Sequence, residues 1–188
     1  LITMPYVLND LFEAANRRME DYLDLIPLDI TCRYFYHDGL ILNAWRDHER
    51  LAAEFARLNV QDGKALYRFI DYARNIYRAA ADPFLYHSLG SPFDVLCTFV
   101  RYVLVGHKDT REDAEPMLVR LRSVLAALSP ATLDSSVREF FRDEHLRQLF
   151  DRYATYNGSS PYQVASVYSI IPYVELADGG WYPRGGMY

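Results

Sequence analysis

The sequence predicts an α+β fold, predominantly helical, with a β-hairpin and a small sheet. Leu66, Phe69, Ile70, Ala73, Ile76, Tyr77 and Ala80 keep helical phase over about four turns. Asp38-Gly39 separates two runs rich in β-branched and aromatic residues, which is a hairpin signal. An aromatic run around Trp181 reads as a further strand.

Each element has its own signature. Leu8, Leu11, Phe12, Ala15 and Met19 line one face of a helix starting near Pro5, a residue suited to a first helical position. Residues 28–36 and 40–45 form the arms of the hairpin. Asp47 is placed to cap a helix reaching about Leu58, with Leu51, Phe55 and Leu58 inward. The helix from about Asp62 ends before Asp82-Pro83. Phe93 to Val105 is apolar almost all round. His107 to Arg111 is polar and loop-like, and Asp113 to Leu128 is an amphipathic helix with Ala114, Met117, Leu118, Leu121, Leu125 and Leu128 on one face. Ser136 and Glu139 read as a capping box. The apolar phase slips at Asp143, so a new helix carries Leu146, Leu149, Phe150 and Tyr153. A loop at 157–161 precedes a helix from Tyr162 to Glu175, despite Pro172.

Composition narrows the function classes. With 51% apolar and 24% charged residues, the 188-residue chain has the make-up of a globular domain. The net charge of −5 and the lack of a basic run argue against nucleic acid as a partner. Cys32 and Cys97 lie in apolar surroundings and read as reduced core cysteines of a cytosolic protein. The five histidines share no ligand-like spacing, so no metal site is expected. No signal-peptide pattern and no apolar run of about eighteen residues is present. Phe93 to Gly106 would span roughly 20 Å as a helix, too short for a bilayer. It reads either as a buried helix or as a face dipped into a membrane surface. Ten Phe and sixteen Tyr would line a long apolar pocket, and would equally fill an ordinary core.

Three runs carry a resemblance. One is Gly179-Gly180-Trp181-Tyr182-Pro183-Arg184-Gly185-Gly186-Met187, an aromatic strand entering a double glycine. The others are residues 152–162, RYATYNGSSPY, and Ile171-Pro172-Tyr173-Val174-Glu175. Together they resemble the bacterial phytoene desaturases, flavoproteins that dehydrogenate carotenoid precursors. Leu1-Ile2-Thr3-Met4-Pro5 with Leu11-Phe12 is similar to the segment after that family's first flavin-binding region, and Asp143-Glu144-His145-Leu146-Arg147 matches another of its runs. The likeness covers the whole chain, strongly at both ends and weakly between about Leu85 and Leu128. No GxGxxG in a strand-turn-helix setting is present. The expectation is therefore a fragment of an amine-oxidase-like FAD flavoprotein. Residues 1–188 would be a segment of its substrate-binding domain, with flavin-proximal segments at about 1–5 and 179–188. The FAD dinucleotide-binding domain would lie outside the chain.

The resemblance implies roles for particular residues. Trp181, Tyr182, Gly185, Gly186 and Met187 would lie near the isoalloxazine of FAD, with Thr3 and Met4 on its other side. Glycine lets main chain approach a flat ligand, although an ordinary strand-turn junction would use the same residues. Tyr156, Asn157, Tyr162 and Gln163 would line the substrate pocket, and are equally good loop residues. Asp94 is the local candidate for a catalytic carboxylate, raised in pKa by its apolar run. It is equally placed to satisfy the free N–H groups of a helix start. The implied partners are a hydrophobic polyene or carotenoid, a peripheral membrane surface and the flavin domain of the same enzyme, in the cytoplasm. Alone, the chain is expected neither to hold FAD tightly nor to turn over. The alternative is a non-catalytic helical module for membrane-surface or partner binding, or a segment of a related carotenoid isomerase or oxidase.

Overall fold

A computed structural model describes residues 1–81, 91–106 and 116–186. The expected helix stop at Asp82-Pro83, the loop at 107–111, the start of the helix at Asp113 and the site residue Met187 lie outside the described residues. The described chain is largely helical with two small antiparallel sheets, the expected α+β class. It divides into one unit of residues 1–64 with 174–188 and a second of residues 65–173.

In the first unit, α1 (Pro5–Ala14) stops earlier than the run to Met19 predicts. Asn16 takes a left-handed φ of 53°, and the N–H groups of Asn16 and Arg17 close back on the Glu13 and Phe12 carbonyls. This Schellman closure satisfies the helix end before the apolar stripe runs out. β2 (Ile30–Phe35) and β3 (Ile41–Trp45) form the predicted hairpin, with Gly39 at φ 85° in its turn. Leu42 and Ala44 alternate into the core. Asp47 caps α2 (His48–Leu58) as expected, accepting from the Arg50 N–H at 2.8 Å. Leu51 and Phe55 are buried on α2, and Glu54 accepts from the Asn43 N–H at 3.2 Å. The second sheet pairs β1 (Leu25–Pro27) with β4 (Trp181–Pro183). Strand β4 is the predicted one, whereas β1 was not predicted.

In the second unit, α3, which begins in the first unit (Val60–Ala81), buries Leu66, Phe69, Ile70, Ala73 and Ile76. Phe69 anchors an aromatic cluster: Phe150 lies 4.5 Å away, Phe140 and Phe141 each at 5.5 Å, and Phe141 stacks on Phe150 at 4.6 Å. A neighbouring cluster joins Ile76, Ala79 and Ala80 to Phe99 and Tyr102 of α4 (Pro92–Val105) and to Val124 and Ala127 of α5 (Met117–Ala127). The expected capping box at Ser136 is corrected. The helix α6 (Leu133–Phe140) starts a turn earlier, where the Thr132 hydroxyl accepts from the Ser135 N–H. Ser136 lies inside the helix and meets the Tyr72 hydroxyl at 3.3 Å. The break at Asp143 is present, and Asp143 caps α7 (Glu144–Asp151).

The long helix expected from Tyr162 is also corrected. Residues 162–169 form turns and a short 3-10 segment, and α8 spans only Ile170–Asp178. Pro172 then falls in the first turn of α8, where its missing N–H leaves no bond unmade. Cys97 is exposed and Cys32 half-buried, so neither is a core cysteine. The apolar face read for α5 lies outside: Leu118, Leu121, Leu125 and Leu128 are exposed, while Ser123, Val124 and Ala127 are buried.

Candidate functional site

The two ends of the sequence meet within the first unit. Strand β4 pairs with β1 in the register Leu25↔Pro183, Ile26↔Tyr182, Pro27↔Trp181. Ile2 also bridges Trp181, each N–H donating to the other's carbonyl at 2.8 Å. Thr3 and Met4 follow Ile2 directly, both half-buried. Met4 holds a left-handed φ of 54°, uncommon for a residue with a side chain, and its carbonyl accepts from the Val7 N–H at 3.0 Å. The first turn of α1 and the Trp181 strand are thus built into one structure.

The ribbon is fixed at some residues and open at others. The Trp181 indole N–H donates to the Asp178 carbonyl at 2.9 Å, and the Arg46 guanidinium carbon lies 4.4 Å from the ring centroid. Burial pushes the Asp178 carboxyl above its usual range. Gly179 and Gly180 are filled from within. A Cβ on Gly179 would stand 3.0 Å from Arg46 Nε, and one on Gly180 would run into the Leu1 side chain. Pro183 is buried and Arg184 pairs with Asp24. By contrast, Tyr182 and Gly185 are exposed. Gly185 has φ 87° with nothing within 4 Å of a built Cβ, and Gly186 has φ 106° with the Tyr182 hydroxyl at 3.6 Å. Open left-handed glycines beside an exposed aromatic ring leave room for main chain to approach a flat ring. An open cleft of about 580 Å³, lined by Tyr6, Asn9, Met19, Leu23, Leu25 and Trp181 among others, borders the same strand.

No family model matches the chain. Among known proteins, it is 28% identical to the lycopene-forming phytoene desaturase of Pantoea ananas over 187 residues, 99% of the chain and 33% of the relative. It is 32% identical to the hydroxyneurosporene desaturase of Cereibacter sphaeroides, across 100% of the chain and 34% of the relative. It is 27% identical to the 4,4'-diapolycopene oxygenase of a Methylomonas species, again over the whole chain. The chain matches a segment of the carotenoid desaturases. It spans about a third of the length of these relatives.

The expected substrate residues lie in the second unit. Tyr156 and Asn157 end a 3-10 turn (Arg152–Asn157) that continues α7, and Tyr162 and Gln163 follow the next loop; all four are exposed. Tyr156 stacks on buried Tyr153 at 6.0 Å, and the Arg152 guanidinium covers both rings. The premise of a desolvated Asp94 is corrected. Asp94 is exposed in the first turn of α4, where the Ser91 hydroxyl donates to its carboxylate at 2.9 Å and the Asp94 N–H donates back at 3.2 Å. This is a helix-start exchange with Ser91 as the cap.

The exposed apolar residues of the second unit form stripes. Phe93, Leu96, Val100 and Leu104 recur along one side of α4, and Leu118, Leu121, Leu125 and Leu128 along α5. No helix among the described residues is long and apolar enough to cross a membrane. Among them, no group of His, Cys, Asp and Glu is arranged to hold a metal ion. Sequence reasoning missed Arg46, Asp178 and strand β1. Three residues containing a proline give no strand signal, and an arginine stacked on a distant tryptophan gives none at all.

Proposed function

We propose that this chain is the substrate-domain segment of an FAD-dependent oxidoreductase that desaturates a carotenoid precursor such as phytoene. The observation that carries the reading is the Ile2–Trp181 bridge. It joins the two flavin-proximal segments expected from the sequence, residues 1–5 and 179–188, into one ribbon. The relatives' names support carotenoid desaturation as the chemistry.

Tyr182, Gly185 and Gly186 would hold the flavin ring on one side, with Thr3 and Met4 on the other, and Met187 belongs to the same run of sequence. Trp181 fixes the ribbon through its own bonds to Ile2 and Asp178. The flavin, when bound, supplies the acceptor for the hydride removed from the polyene. The exposed Tyr182 ring shields that position from water. Tyr156, Asn157, Tyr162 and Gln163 contact the polyene. The unpartnered faces of α4 and α5 rest on the membrane surface from which so apolar a substrate is drawn. Asp94 supports the Ser91 cap of α4 and takes no part in proton transfer. A long hydrocarbon offers no polar group to grip, so the chain's work is positioning and exclusion of water.

The test is a segment exchange. The matching third of the Pantoea ananas phytoene desaturase is replaced by these 188 residues, and products formed from phytoene are separated by chromatography. More desaturated carotenoids are expected from a soluble, flavin-loaded chimera. A chimera that is soluble and loaded with flavin, yet leaves phytoene and every other polyene offered unchanged, overturns the reading.

A further inference from the structure

We propose that Asp24 is a positioning residue: it holds Arg184 at both backbone and side chain, and so orders the Gly185-Gly186 main chain before the flavin arrives. This rests on the flavin-facing reading above, to which it adds a residue from outside the ribbon.

The ladder between β1 and β4 ends at the pair Leu25↔Pro183. One residue further on, the Arg184 N–H donates to the Asp24 carbonyl at 2.8 Å. The same two residues meet again through their side chains, where Arg184 Nε donates to the Asp24 carboxylate. Arg184 is therefore tied twice to one partner. The side chains are 68% exposed for Arg184 and 59% for Asp24, so the ion pair adds little to the stability of the fold.

The tie acts on what comes next in the chain. The Gly186 N–H donates to the Pro183 carbonyl at 3.0 Å and closes a four-residue turn over 183–186. Gly185, third in the turn, has φ 87°, whereas Arg184, second, is not among the residues of positive φ. That combination is a type II turn. Types I and II differ by about half a rotation of the central peptide, here the one joining Arg184 to Gly185. The turn type therefore sets which way that N–H and carbonyl point.

The glycines themselves do little to hold the turn. Glycine has the most backbone freedom to lose. A Cβ built on Gly185 meets nothing within 4 Å, and one on Gly186 meets only the Tyr182 hydroxyl. Order must come from the first two residues of the turn. Pro183 is buried and its ring fixes its φ. Arg184 is exposed, and Asp24 is what fixes it. At the other end of the ribbon, Ile2, Asp178 and Arg46 hold Trp181. A ligand that meets main chain already in place loses less entropy on binding. Loss of the Asp24 carboxylate should therefore be felt in flavin binding more than in folding.

Two measurements test the proposal. The first uses the 188-residue chain and needs no flavin. Nitrogen-15 relaxation reports the order of the Gly185 and Gly186 amides. Both should lie near the rigid-backbone value of about 0.85 in the native chain and fall toward roughly 0.6 in Asp24→Ala. The thermal midpoint should stay within about 3 °C. Glycine amides equally ordered in the two chains overturn the proposal.

The second measures flavin dissociation constants in the segment-exchanged enzyme. Asp24→Ala should weaken binding roughly three- to fivefold. Asp24→Arg, which sets two cations together, should weaken it by about tenfold or more. Adding Arg184→Asp to Asp24→Arg restores opposite charges and should bring binding back to within about twofold of the parent. Asp71→Ala is the matched control. It breaks another exposed pair, with Arg74 on α3, and should leave flavin binding unchanged. An equal loss in Asp71→Ala, or no recovery in the charge-swapped pair, contradicts the positioning role. A parent that binds flavin as tightly with Asp24→Ala as without it brings down this proposal alone. A parent that holds no flavin brings down the flavin-facing reading as well.

Discussion

At Gly63 the local rule and the packing rule point in opposite directions. It lies in the first turns of α3, and alanine there gains about 1 kcal/mol of helix propensity. A Cβ would stand 2.6 Å from the Ala52 carbonyl oxygen and 2.8 Å from the Ala56 Cβ, neither of which can swing aside. Overpacking of this kind costs roughly 1–3 kcal/mol, so Gly63→Ala should destabilise despite its better propensity. Urea unfolding should show a lower midpoint with an unchanged slope. A raised midpoint would mean that α2 and the start of α3 separate easily. Asp94 gives the second residue-scale prediction. An exposed carboxylate exchanging hydrogen bonds with Ser91 is a helix-start group, so Asp94→Asn in the segment-exchanged enzyme should leave turnover unchanged. A fall of about a hundredfold or more would return Asp94 to acid–base work.

The elements that were legible in the sequence are those whose signals are local. Asp47 and Asp143 cap helices because their carboxylates reach N–H groups two or three residues ahead, and the hairpin follows from Asp38-Gly39 between β-rich arms. Asp143→Ala should cost about 1 kcal/mol of stability, read as a lower urea midpoint, because α7 then starts with free donors. Strand β1 was hidden since its partner lies more than a hundred and fifty residues away, and nothing in Leu25-Ile26-Pro27 announces pairing. The α5 stripe shows the opposite limit. Periodicity reveals that Leu118, Leu121, Leu125 and Leu128 share a face, but not whether that face meets a core or remains outside. Leu104→Glu on the neighbouring α4 stripe should abolish co-sedimentation of the chain with anionic liposomes and leave its thermal midpoint unchanged, as Leu104 is exposed. Binding that ignores the inserted charge would remove this face as the membrane contact.

For the whole molecule, the likeness to carotenoid desaturases was readable at the ends of the sequence, where aromatic and glycine runs are most distinctive. The stretch between about Leu85 and Leu128 carried little of it. What the sequence could not convey is that the open glycines and the filled ones differ. Gly179 and Gly180 accommodate the chain's own Arg46 and Leu1 side chains, whereas Gly185 faces open space. That difference allows a direct test with a matched control. Gly39 and Gly185 have φ of 85° and 87°, and neither has an atom within 4 Å of a built Cβ. Valine at either position therefore imposes the same backbone strain on the fold. In the segment-exchanged enzyme, flavin bound per chain should fall at least about tenfold in Gly185→Val, consistent with steric loss of a close main-chain approach, and remain at the parent level in Gly39→Val. Equal flavin content in the two variants would contradict a flavin-facing ribbon at Trp181 to Gly186.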